Sequence, residues 1–177
     1  MRSKLAVIAV TLAGLATAPG SAHALDLGLT PSHVFSLWTN INNGLIAATR
    51  IVSDDALTET VAAMRPKSFA GKVPGDVLER ARAVRDKLDS LRRDLGLKKT
   101  VLFDSNDGRI TPSDVYLNSG HVLDGLVGWL IHGTGPELLA SRFYVRHKFS
   151  SKTPSDVFGL VDLANRRLET ILHRAGS

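Results

Sequence analysis

The chain of 177 residues contains no cysteine. That absence excludes disulfides, thiolate metal sites, a cysteine nucleophile, covalent c-type haem and lipid attachment to a cysteine after an export signal. Aromatic residues make up 6% of the chain, with two tryptophans and two tyrosines, so a core must be mainly aliphatic. The one long apolar run, Leu5 to Ala16, is shorter than the ~20 residues that a membrane-spanning helix needs. Catalytic signatures are missing too. The chain has no Gly-x-Ser-x-Gly elbow, no His-Glu-x-x-His pair and no glycine-rich phosphate loop. No cofactor is implied.

What is present begins at the N-terminus. Arg2 and Lys4 precede the apolar run, and Ala22-His23-Ala24 follows it as a small-x-small site. This three-part pattern is that of a secretory signal peptide over residues 1–24. The expectation is cleavage after Ala24, a periplasmic or secreted product and one helical domain over residues 25–177. With Arg2 and Lys4 removed, the 22 basic and 17 acidic residues leave a mature charge of +3. So mild an excess gives no reason to expect nucleic acid as a partner.

The mature chain repeats one phrase four times: Thr30-Pro31-Ser32-His33-Val34, Val73-Pro74-Gly75-Asp76-Val77, Thr111-Pro112-Ser113-Asp114-Val115 and Thr153-Pro154-Ser155-Asp156-Val157. Each reads as a helix start. Thr is the N-cap, Pro occupies the first turn where its missing N–H costs nothing, and Asp three residues past the cap closes a capping box. Thr30, Thr111 with Asp114, and Thr153 with Asp156 are the expected caps. Val73 lacks a side-chain oxygen, and His33 stands where the other copies carry Asp. Seven, eleven and fourteen residues past each Val the chain is apolar: Ile41, Val84, Val122 and Ala164; Leu45, Leu88, Leu126 and Leu168; Ala48, Leu91, Trp129 and Ile171. These offsets share one helical face. The residue just after each Val is Phe35, Leu78, Tyr116 or Phe158, large every time.

Pro31 to Pro112 spans 81 residues and Pro74 to Pro154 spans 80. The first and third copies share the lead-in Leu/Ile-Thr-Pro-Ser. The second and fourth share Phe-x-x-Lys-x-Pro. This implies a tandem repeat over residues 25–95 and 106–177. The expected fold is an all-α four-helix bundle built from two duplicated helix pairs, running up and down, with a short α-solenoid of two hairpins as the alternative. Short helices are expected in the two 20-residue connectors, around Ala56–Met64 and Glu137–Ser141. Arg82 with Asp86 and Arg85 with Asp89 are spaced for i,i+4 pairs on a solvated face.

Three stretches carry candidate chemistry. In the third long helix His121, Gly125, Gly128 and His132 form one stripe. Glycines cost about 1 kcal/mol each inside a helix, so the stripe suggests close approach by another helix, a second copy of the chain or a flat ligand. Two histidines eleven residues apart cannot share one metal. Asp104, Asn106, Asp107 and Asp114 resemble a calcium loop, but the loop is one residue short of the ligand spacing. Arg142 to Phe149 alternates bases with aromatics, which suits a connector with Phe143, Val145 and Phe149 tucked under the bundle, or a contact with an anionic membrane surface or an acidic ligand. The functional expectation is an exported helical binding or interaction module without catalytic activity. A small-molecule sensor or carrier, with its ligand between the first and third long helices, is the alternative, and an enzyme of unknown class the third. Its partner is an unidentified protein or small molecule, or a second copy in a homo-oligomer.

Overall fold

All four Pro-marked starts open long helices in the computed structural model, which describes residues 27–51, 54–101, 108–135 and 140–175. The long helices are α1 (Pro31–Ala48), α3 (Pro74–Asp94), α4 (Pro112–Thr134) and α5 (Pro154–Ala175). A short helix, α2 (Asp55–Ala63), and two 3₁₀ turns, Thr49–Ile51 and Ala140–Phe143, lie in the connectors. There is no strand among the described residues, and the fold is an all-α bundle.

Reciprocal caps form at α4 and α5 as side-chain chemistry demands. At α4 the Thr111 hydroxyl receives the Asp114 N–H while Asp114 Oδ2 receives the Thr111 N–H at 2.7 Å. Thr153 and Asp156 repeat the exchange at α5. At α1, His33 does the work of the missing Asp: its Nδ1 accepts the Thr30 N–H at 3.1 Å. Only half a box forms at α3. Asp76 Oδ2 accepts the Val73 N–H at 3.0 Å, but Val73 has nothing to offer in return. At its other end α3 closes on Gly96, whose φ of +69° only glycine adopts freely, with Leu97 N–H bonded to the Arg92 carbonyl.

All twelve residues at the seven-, eleven- and fourteen-residue offsets are buried, and they make the spine of the core. Burying each large one contributes about 1.5–3 kcal/mol. Around that spine the long helices pack in the cyclic order α1–α4–α3–α5. The expected up-down course does not form. Pro31, Pro74, Pro112 and Pro154, with Val34, Val77, Val115 and Val157, surround one narrow apolar space, so all four helices begin at the same end and run parallel. Register agrees. Trp38 and Ser119 each stand seven residues past their proline, and the indole N–H of Trp38 donates to Ser119 Oγ at 2.8 Å. Chain neighbours α1 and α3 lie across a diagonal, as do α4 and α5, so the solenoid of hairpins is not formed either. The physical reason lies in the connectors, which are long enough to return along the bundle. The first does so as α2 and an extended stretch.

Parallel packing leaves four helix dipoles pointing the same way, each carrying roughly half a positive charge at its start. Asp76, Asp114 and Asp156 sit at that end, while Arg92, Arg93, His132, His173 and Arg174 sit in last turns. The starting end is also latched from helix to helix. Ser32 Oγ accepts the Lys152 N–H, Ser155 Oγ the Lys72 N–H and Ser113 Oγ the Leu27 N–H. The fourth place is Gly75, which has no hydroxyl. The Phe-x-x-Lys lead-ins pack in matching ways. Phe149 stands edge-on to Phe35 with Lys152 Nζ over the Phe35 ring, and Phe69 stands edge-on to Phe158 with Lys72 Nζ over that ring.

The charges of α3 pair both along the helix and across to α5, and Arg92 Nε lies 3.8 Å from Asp89 Oδ1 on the same helix. Arg85 bonds Asp86, its neighbour, and Asp89 is buried. Arg80 reaches Asp162 of α5 at 3.1 Å and Lys87 reaches Glu169 at 2.6 Å, so these charges join two helices.

Candidate functional site

Depressions among the described residues include two large enough to admit a small ligand. The larger, about 730 Å³, runs between α2 and α5 over Leu57, Thr60 and Met64. Its charges are spent on partners: Arg174 on Asp54, Arg166 on Asp162 and Glu169 on Lys87. The smaller, about 300 Å³, lies between α1 and α4 and is walled by the extended chain 144–147. That volume is at the lower end of those that hold small ligands. Its apolar surfaces are Leu29, Leu37, Leu123 and Val145, and its polar groups come from His33, Ser36, Asn40, Tyr116, Tyr144, Arg146 and His147. Among the described residues no Asp or Glu lines it.

The wall is fixed from beneath by α1. Asn40 is 4% exposed. Its Nδ2 donates to the Val145 carbonyl at 2.7 Å, and because a carbonyl can only accept, the amide orientation is settled. Asn40 Oδ1 must then accept from His147 Nε2, at 2.9 Å, which makes Nε2 a donor. The His147 N–H donates to Ser36 Oγ at 2.9 Å. On the opposite side the Tyr144 hydroxyl donates to Asp124 Oδ1 at 2.7 Å. Partial burial, and then the neighbouring Asp124 carboxylate, push the Tyr144 phenol up to about 12, so it stays protonated. Beneath the same segment Phe143 is buried, as its place in the alternation suggests. Val145 and Phe149 are not: they are 46% and 37% exposed. Backbone hydrogen bonds to Asn40 and Ser36 hold this extended segment against α1.

Three polar groups on this lining have capacity to spare. Arg146 makes no ion pair or hydrogen bond among the described residues, and neither does the Tyr116 hydroxyl. His33 spends Nδ1 as an acceptor on Thr30, so its ring proton is on Nε2, which is free to donate. All three are donors.

The stripe read from the sequence is elsewhere. Gly125 and Gly128 face α3 and the chain after it, where Thr100 and Arg92 cover them. Arg92 donates to the Gly125 carbonyl and to Lys98 O, and Thr100 donates twice to Asp89 Oδ1, at 2.9 Å each. Their small size admits the chain's own side chains. His121 and His132 are exposed on α4 and are not brought into the cleft. Asp104, Asn106 and Asp107 lie outside the described residues. Asp114, 2% exposed, is committed to the α4 cap. Thr111, Thr153 and Asp156 cap as expected, whereas the Thr30 hydroxyl lies against His33 Nδ1 and takes no helix N–H.

The cleft wall at 144–147 belongs to the basic aromatic run singled out in the sequence, while the α1 and α4 members of the lining carried one further signal. Tyr116 is the only polar member of the set Phe35, Leu78, Tyr116 and Phe158, and an apolar end layer has no use for its hydroxyl. Comparison with family models, with curated proteins and with solved structures finds no match to this chain.

Proposed function

We propose that the chain is an exported, non-catalytic binding module, and that the α1–α4 cleft is where it takes its ligand. The observation that carries this reading is the contrast between the two depressions. The larger one has its charges paired internally, while the smaller keeps Arg146, Tyr116 and His33 with donors unspent on a wall fixed by buried Asn40. A fixed frame with unspent polar groups suits recognition. Proton transfer or nucleophilic attack would need a base poised against a nucleophile, and the lining offers no such pair. The three-part N-terminus supports export. A quarter-turn about the bundle axis carries α1 onto α4 and α3 onto α5 in chain order, which supports origin by tandem duplication.

The two tyrosines of the chain both line the cleft, so tyrosine ring signals report on it directly. A fragment screen read by NMR of ring-labelled tyrosine should yield ligands that shift Tyr116 and Tyr144 saturably. Ligands or periplasmic proteins that bind the molecule while leaving both rings unmoved would overturn the cleft assignment. Export is checked by N-terminal sequencing of protein from a periplasmic fraction. Leu25 is the expected first residue, and an intact Met1 would sink it.

A further inference from the structure

We infer that the α1–α4 cleft takes a small organic carboxylate with an apolar body, an inference that rests on the binding role proposed above. The charge of the lining sets the sign. Arg146 is the charged group on the lining, no acid lines the cleft among the described residues, and Asp124 beside Tyr144 is engaged by the Tyr144 hydroxyl. The hydrogen-bonding inventory narrows the class. The unspent groups are the Arg146 guanidinium, the Tyr116 hydroxyl and the Nε2–H of His33, three donors facing a ligand that must supply acceptors. A guanidinium with a free fork pairs a planar carboxylate through two parallel N–H···O bonds. The Asn40 amide, the Ser36 hydroxyl oxygen and Nε2 of His147 are engaged in holding the wall. Leu29, Leu37, Leu123 and Val145 supply apolar surface for the remainder of the ligand, and about 300 Å³ restricts it to a short chain or a single ring.

Three probes of equal length and different charge decide the matter: octanoate, 1-octanol and octylammonium, titrated into the purified protein at neutral pH and followed at Tyr116 and Tyr144. Octanoate is expected to shift both rings saturably, 1-octanol to bind at least about tenfold more weakly, and octylammonium to leave both rings in place. Arg146→Gln is expected to weaken octanoate about tenfold and Tyr116→Phe a few-fold, with melting temperatures unchanged because neither group holds the fold. Equal binding of octanol or octylammonium, or full octanoate affinity in Arg146→Gln, overturns the carboxylate assignment and leaves the cleft standing as a binding site. Silence of both rings toward all three probes overturns the assignment too, and the fragment screen above then decides separately whether the cleft binds anything.

Discussion

The Cβ that Gly125 lacks would lie 2.7 Å from the hydroxyl oxygen of Thr100, the same hydroxyl that donates to buried Asp89. A methyl there cannot be admitted without moving Thr100 off Asp89. Gly125→Ala should therefore destabilise by about 1–3 kcal/mol from overpacking, less the ~1 kcal/mol that Ala gains on helix propensity. Gly44→Ala meets Leu126 Cδ2 at 2.8 Å inside the core and should go the same way. At Gly128 the nearest atom is Arg92 Nη1 at 3.3 Å, on a long flexible arm, and Ala there should be neutral or mildly stabilising. Urea midpoints at two protein concentrations measure all three and expose any dimer. A rise for Gly125→Ala and Gly44→Ala would refute the tight packing described.

Helix starts give a paired test. Thr111→Ala and Thr153→Ala each remove an acceptor from an otherwise orphaned N–H and should cost about 1 kcal/mol. Val73→Thr should gain a similar amount by completing the box that Asp76 has half-formed. Gly75→Ser should also stabilise, by roughly 0.5 kcal/mol or more from helix propensity. Its side chain meets nothing within 4 Å and supplies the hydroxyl present at the other three starts. Chemical denaturation reads each, and loss of stability in Val73→Thr would contradict the cap geometry.

Acid should unfold the protein in part through two surface carboxylates. The Thr153 backbone N–H, then its hydroxyl, hold Asp156 below the ordinary 3.8, and the Lys87 ammonium holds Glu169 below 4.5. Both pKa values are lower folded than unfolded, so the unfolded chain takes up protons first as pH falls. The stability they contribute is complete above those ordinary values and drains away as pH drops through them toward the folded values. Asp156→Asn and Glu169→Gln should each flatten the acid limb of a stability–pH curve. Superimposable acid limbs for variants and parent would show that neither carboxylate is coupled to folding.

Arg167 meets no carboxylate among the described residues, although it is 5% exposed. It donates instead to the carbonyls of Val61, Asn42 and Met64 and to Asn42 Oδ1, tying the end of α2 to α1 and α5. Burial, then Arg65 and Arg166 nearby, pull it down to about 10, which still leaves it charged at neutral pH. Arg167→Leu strands three carbonyls and should cost about 3 kcal/mol or more. Arg167→Lys should not rescue it, since one ammonium cannot span the fork. Hydrogen exchange would show α2 losing protection in both. Unchanged protection would mean the tether is idle.

Local chemistry was legible and its assembly was not. Caps and core offsets depend on residues within a few turns of each other, so Thr111, Asp114, Val122 and Leu126 announce their roles by spacing alone. The direction of the helices depends on how far a connector travels, and nothing local to Ser53–Lys72 distinguishes a turn-back from a return run. Asp89 reads as a surface charge because its partner Thr100 approaches from the following connector. The cleft was hidden for the same reason. Its wall at 144–147 meets α1 across more than a hundred residues, so the basic aromatic run and the odd hydroxyl of Tyr116 named candidates without showing that they meet.

Because the four helices share one direction, the chain cannot bank its gains locally. Helices consecutive among the long four, α1 with α3 and α4 with α5, face each other across the diagonal. Of the touching pairs, only α3 with α4 is consecutive along the chain. The α1–α4 and α3–α5 interfaces join residues some 80 apart, as Trp38 and Ser119 do, and α1–α5 joins residues further apart still. Loop closure must be completed before most burial is rewarded, and folding rates fall as the mean separation of contacts rises. This bundle should therefore fold more slowly than an up-down bundle of its size, with early helices lingering unpartnered.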